Sequence, residues 1–177
     1  MGPPETCTMT DTKLKRIAWL SARDPHKRFA CLMHHFNEES LAACFHELDG
    51  KKAVGIDGVS KADYAEHLEA NLQDLVVRMK RMTYRPLPVR QALIPKEGQP
   101  GAQRPLGISV LEDKIVQKMM QKVLESIYEP LFLDCSYGFR PGRGCHEAIQ
   151  ALYGHLFRYD VQVVIDVDLA NYLDAAS

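Results

Sequence analysis

The spacing of apolar residues changes along this chain, and that change constrains the fold more than any other feature. Four stretches carry a helical stripe. From Ser40, the residues Leu41, Cys44, Phe45 and Leu48 recur at helical spacing, with Ser40 placed to cap the first turn and Gly50 to end the last. From Ser60, the stripe Tyr64, Leu68, Leu72, Leu75, Val76 and Met79 predicts one helix that stops before Tyr84-Arg85-Pro86. Ser109-Val110-Leu111-Glu112 matches a capping box, and the helix behind it is expected to bury Ile115, Met119, Val123, Leu124 and Ile127 and to end before Pro130. A further helix is expected to carry Ile149, Leu152, Tyr153 and Leu156 on one face. Residues 1–37 read as a mobile start followed by one helix around Ile17, Ala18, Trp19 and Leu20.

Elsewhere the pattern is that of strands and turns. Val89 to Pro95 and Arg104 to Ser109 read as two strands of a hairpin, joined by the turn-rich residues 96–103. Val161, Val163, Ile165 and Val167 alternate with Gln162, Val164, Asp166 and Asp168, which predicts a strand with both aspartates on one face. Between the helices, Gly55-Ile56-Asp57-Gly58-Val59 has the chemistry of a tight loop. Helices combined with a hairpin and a separate strand make an α+β chain.

Composition narrows the class. With 46% hydrophobic and 25% charged residues the chain is expected to bury a core rather than remain disordered. No apolar run approaches the roughly 20 residues of a membrane helix and no signal-peptide layout is visible, so no membrane association and a cytoplasmic address are expected. Five cysteines without a Cys-x-x-Cys pair suggest reduced thiols rather than a disulfide framework or a zinc site. The net charge of −1 hides an uneven distribution: from Arg78 to Lys122 there are ten Lys/Arg against three acidic residues. Phosphate binding needs such local positive potential, although a solvated helix face would look the same.

Several residues could carry chemistry. A hairpin with Lys96 near its turn and Arg104 on the return strand can present two cations to a triphosphate, or the two can simply be solvated. Arg140 and Arg143, in the glycine-rich Ser136-Tyr137-Gly138-Phe139-Arg140-Pro141-Gly142-Arg143-Gly144, suit a sugar-phosphate strand; Tyr137 and Phe139 can stack on bases or pack inward. Asp166 and Asp168 project from one strand face as magnesium-binding carboxylates do, and equally as a solvent-facing or helix-capping pair does.

Taken in order, the blocks Gly55-Ile56-Asp57-Gly58-Val59, Tyr84-Arg85-Pro86, Ile94-Pro95-Lys96, Arg104-Pro105-Leu106-Gly107-Ile108, Leu111-Glu112-Asp113-Lys114-Ile115-Val116-Gln117, Ser136 to Arg143 and Asp166-Val167-Asp168-Leu169 resemble bacterial group II intron reverse transcriptase/maturases. The resemblance runs over roughly residues 14–172, and corresponds to about the N-terminal third of such a protein. It implies a right-hand polymerase: an N-terminal extension at 1–37, fingers at 38–160 and a truncated first palm strand at 161–177. It casts Lys96 and Arg104 as triphosphate contacts, Asp168 as a ligand of catalytic Mg2+ with Leu169 adding a backbone carbonyl, and Asp166 as a neighbour rather than a ligand. Arg85 joins Arg140 and Arg143 as a nucleic-acid contact. The implied partners are an RNA template and intron RNA, a DNA primer and deoxynucleoside triphosphates.

The chain departs from that pattern twice. Tyr172-Leu173 stands where the family usually has two phenylalanines, the second of which excludes ribonucleotides, and the Tyr-Ala-Asp-Asp motif with the remaining metal carboxylates is missing. A single aspartate holds two magnesium ions poorly, so the chain alone is expected not to polymerise and its unpaired palm edge to favour self-association. A non-catalytic RNA-binding module and a decayed remnant of a mobile element are the alternatives.

Overall fold

A computed structural model of the chain describes residues 9–95, 98 and 101–167. These form two compact units that divide after Leu131. The first contains α1 (Met9–Arg23), α2 (Glu38–Glu47), α3 (Lys61–Ala65), α4 (Leu68–Lys80), β1 (Arg90–Pro95), β2 (Gln103–Ile108) and α5 (Leu111–Tyr128); the second contains α6 (Cys145–Arg158). Helices with one antiparallel hairpin make the chain α+β. Among the described residues no helix is long and apolar enough to cross a membrane, and Cys31, Cys44, Cys135 and Cys145 are free thiols.

The apolar stripe of α5 is the centre of the first unit. Leu111, Ile115, Val116, Met119 and Val123 are buried, Ile115 and Met119 completely. They share one cluster with Leu14 and Ile17 of α1, Leu41, Cys44 and Phe45 of α2, and Leu72, Leu75, Val76 and Met79 of α4. Each such side chain contributes about 1.5–3 kcal/mol by leaving water. Of the α5 residues expected inside, Leu124 is instead exposed and Ile127 only partly covered.

Polar side chains set the helix ends, and here the expectations need correction. Asn37, not Ser40, caps α2; Ser40 is the reciprocal member of the box, donating no cap of its own but accepting from the Asn37 amide at 3.1 Å. The helix ends at Glu47 with Leu48 as its cap, before Gly50. Ser60 caps α3 as expected, its hydroxyl accepting from the Asp63 amide at 3.2 Å. The single helix expected from Ser60 is broken at Glu66-His67, where the Asn71 side-chain amide donates to the Tyr64 carbonyl at 3.2 Å. The capping box at Ser109-Glu112 does not form: Val110 is the cap of α5, and the Glu112 carboxylate is drawn away to Arg78.

That diversion belongs to a clamp that seats the hairpin on the helices. Arg78, in the last turn of α4, donates both terminal nitrogens to Glu112 at 3.0 and 2.8 Å and its Nε to Asp74 at 2.6 Å. Beside it Asp113, only 3% exposed, accepts from the Leu87 amide at 3.1 Å with one oxygen and from the Tyr84 hydroxyl with the other. Burial, and then the bond to Asp113, push the Tyr84 phenol well above its ordinary range, so it stays a donor. Arg90, the first residue of β1, donates to the Val54 carbonyl at 2.9 Å, and Lys114 to that of Ala53 at 2.8 Å. Gly55 is required there, since a Cβ would lie 2.5 Å from the Val110 Cα.

In the second unit α6 forms where the spacing predicts, yet none of its residues is buried. The expected strand at Val161 is not formed: residues 161–167 run as exposed coil. A lone extended segment leaves its amides and carbonyls without a sheet partner, and none of the described strands pairs with it. The self-association expected through a palm edge therefore has no strand edge behind it among the described residues.

Two outcomes test this architecture. Asp113→Ala leaves the Leu87 amide and Tyr84 hydroxyl without their acceptor and is expected to cost about 2–4 kcal/mol in urea denaturation, with amide exchange in 90–95 and 103–108 accelerated; hairpin amides that keep their protection would contradict the clamp. His35 is buried with an unpartnered Nδ1, and burial, then the charges of His34 and Lys13, hold its pKa below the ordinary 6.5. Its neutral form therefore stabilises the fold above pH 6.5, and this contribution is lost as the pH falls through its folded value. Stability measured from pH 7 down to 5 should decline, and less steeply in His35→Phe.

Candidate functional site

The hairpin brings its residues together through its register. Ile94 pairs with Arg104 and Arg90 with Ile108, so Arg90, Ala92, Ile94, Arg104, Leu106 and Ile108 share one face. Arg104 sits one pair from the Pro95–Gln103 end of the ladder. Its guanidinium is exposed and engages no described side chain or backbone carbonyl. Lys96, the other expected triphosphate contact, lies outside the described residues. At the opposite end of the ladder Arg90 is fixed on Val54, and behind it Leu87 on Asp113. The hairpin is thus fastened at its base, with an uncommitted cation toward its tip.

The three arginines expected at nucleic acid are each engaged with the chain itself. Arg85 donates to the Met82 and Tyr84 carbonyls at 3.3 and 3.0 Å, closing the turn after α4. Arg140, 9% exposed, donates to the Leu133 and Ser136 carbonyls, both at 2.8 Å, and its guanidinium lies 5.1 Å from the Phe132 ring centre. Arg143 donates to the Asp134 carbonyl, forms an ion pair with the Asp134 carboxylate at 3.1 Å and covers the Tyr137 ring at 5.5 Å. A guanidinium has five donors, so Arg85 and Arg143 retain capacity for a phosphate, whereas Arg140 is buried in its loop.

Asp168 and Leu169 lie outside the described residues. Asp166 is exposed on the coil at 161–167. Among the described residues no group of three His, Cys, Asp or Glu side chains is placed to hold a metal ion.

Sequence reasoning passed over Asp113, Tyr84 and Arg78. The signal available was the adjacent Glu112-Asp113 at the start of a helix whose cap is apolar: two acids there favour the helix dipole, and their buried partners are set by distant segments. Phe139 was noted as a stacking candidate, but its left-handed backbone, φ 56°, carries no sequence signal in a bulky residue.

No protein-family model matches the chain. Curated proteins do. The chain is 35% identical over 167 residues to Protein YkfC of Escherichia coli K12, a match covering 90% of this chain and 43% of that protein. It is 36% identical over 140 residues to the group II intron-encoded protein LtrA of Lactococcus lactis, covering 78% of this chain and 23% of LtrA. It is also 34% identical over 118 residues, 66% of this chain, to an uncharacterized 91 kDa protein in the cob intron of Schizosaccharomyces pombe, of which that is 14%. The chain thus spans less than half the length of these relatives. By descent it is a relative of the group II intron-encoded proteins, the reverse transcriptase/maturase family that its ordered motif blocks resemble.

Proposed function

We propose that this chain is the part of an RNA-directed DNA polymerase of the group II intron kind that receives the incoming nucleotide, with its helices and hairpin as polymerase fingers. Arg104 and Lys96 grip the triphosphate of a deoxynucleotide, Arg104 bidentately. Asp168, with the Leu169 carbonyl, contributes to a magnesium site; the metal, when bound, neutralises charge that builds on the phosphate under attack by a primer hydroxyl. The observation that carries the reading is Arg104: exposed, uncommitted and mounted on a hairpin whose base is held by Asp113 and Arg90. A solvated surface arginine needs no such anchored support, whereas a triphosphate contact gains from a rigid one.

Within this reading Arg85, Arg140 and Arg143 hold their loops in shape, and Arg85 and Arg143 turn remaining donors toward the RNA template or intron RNA, with a DNA primer as the strand extended. Asp168 is one carboxylate where a magnesium pair requires several, so the 177 residues by themselves bind substrate without extending a primer. A second reading, RNA binding without catalysis, is favoured by the concentration of Lys and Arg between residues 78 and 122. It shares the RNA contacts and lacks the triphosphate site.

The two separate in one titration. Under the first reading, Arg104→Ala weakens binding of a magnesium-deoxynucleoside triphosphate roughly 10- to 150-fold, measured by calorimetry, while RNA binding changes little and falls steeply with added salt in both proteins. Triphosphate binding that ignores Arg104 would contradict the polymerase reading, and primer extension by the chain alone would contradict the claim of substrate binding without catalysis.

A further inference from the structure

Among the described residues of the second unit, Phe139 is the large side chain that joins full exposure to a left-handed backbone. Its relative exposure is 109%, the largest among the exposed apolar residues, and its backbone is left-handed at φ 56°. A bulky residue is strained in that region and persists there only when its surroundings over-determine it. They do. Arg140 pins the Leu133 and Ser136 carbonyls on one side, Arg143 pins the Asp134 carbonyl and carboxylate, and the Arg143 amide closes back on the Arg140 carbonyl at 3.3 Å. A fixed loop thus holds an aromatic ring in water, at a position where glycine would relieve the strain.

The chemistry around the ring selects the partner. Tyr137, the neighbouring aromatic, is already covered by the Arg143 guanidinium, so within the loop 136–144 Phe139 is the ring left open. Gly138 and Gly142 leave the backbone open, with no atom within 4 Å of where a Cβ would stand, so another chain can approach closely on both sides of Phe139. Protein partners usually cover several hundred square ångströms of contiguous surface. A single rigid ring between open glycines fits one flat, unpaired base whose sugar-phosphate runs over the glycines. We propose that Phe139 is a stacking platform for an unpaired nucleobase of a single-stranded nucleic acid. The inference rests on the nucleic-acid reading above and adds to it which residue meets the base, in place of the arginines that hold the loop.

The test uses the full chain and a fluorescently labelled single-stranded RNA of mixed sequence, followed by anisotropy at fixed salt, with the same RNA annealed to its complement alongside. Phe139→Gly should weaken single-strand binding roughly 5- to 150-fold, without lowering the melting temperature, because glycine adopts the left-handed backbone freely. Phe139→Trp should retain the affinity and Phe139→Leu should lose most of it; duplex binding should be the same in all. Single-strand affinity unchanged in Phe139→Gly, or retained in Phe139→Leu, overturns the stacking role and leaves the nucleic-acid reading standing. An unchanged affinity with altered sedimentation assigns Phe139 to a protein contact and likewise overturns it. Failure of the wild-type chain to bind RNA overturns the reading beneath it as well.

Discussion

The first turn of α5 is the point on which the first unit depends. Its apolar side, Leu111 and Ile115, enters the common core, while its two acids hold polar groups from segments that are remote in sequence. Glu112 neutralises Arg78 at the end of α4, and Asp113 satisfies an amide and a hydroxyl in the stretch that leads into β1. A buried carboxylate is tolerated only when its oxygens are occupied, and each Asp113 oxygen has a donor. The same turn abuts Gly55 through Val110, so loop, helix and hairpin base are fixed at one place. The fingers reading inherits its rigidity from this junction rather than from the two-stranded ladder, which alone would be marginal.

What was legible in the sequence is what depends on spacing. Of the two stripes, Leu41, Cys44, Phe45, Ile115, Met119 and Val123 are inside, because a helix that must bury one face repeats apolar residues at its own period, while Leu48 and Ile127 are partly covered and Leu124 is exposed. The hairpin was legible to within a residue at each strand, since its turn chemistry separates two short apolar runs. The errors arose where a side chain had a choice of partners. Glu112 can complete a capping box with Ser109 or meet Arg78, 34 positions away, and only the packed helices bring Arg78 near. Asn71 can face water or take the Tyr64 carbonyl, and it does the latter where one expected helix is divided into two. The alternation at 161–167 is a genuine strand pattern, but alternation specifies only which side is apolar; a partner must supply the ladder.

The candidate site was legible in the same uneven way. Arg104 was identifiable as a cation on the return strand of a hairpin, where it is exposed and engages no partner among the described residues. Arg85, Arg140 and Arg143 were identifiable as cations but not as loop staples, since their acceptors are backbone carbonyls that the sequence does not display. Similarity to LtrA and other intron-encoded proteins is the context in which Arg104 and Phe139 are proposed as contacts. The two lie in separate units, so each is argued from its own surroundings: one offers a charge to phosphate, the other a face to a base.

The central claim, that the anchored hairpin receives the triphosphate, is tested most directly by covalent mapping. A photoreactive deoxynucleoside triphosphate bearing its azide on the terminal phosphate is irradiated with the chain and magnesium, and the labelled peptides are identified by mass spectrometry. The account predicts adducts within residues 90–108, displaced by unmodified deoxynucleotide. Displaceable adducts confined to other segments, or no displaceable adduct, would contradict it.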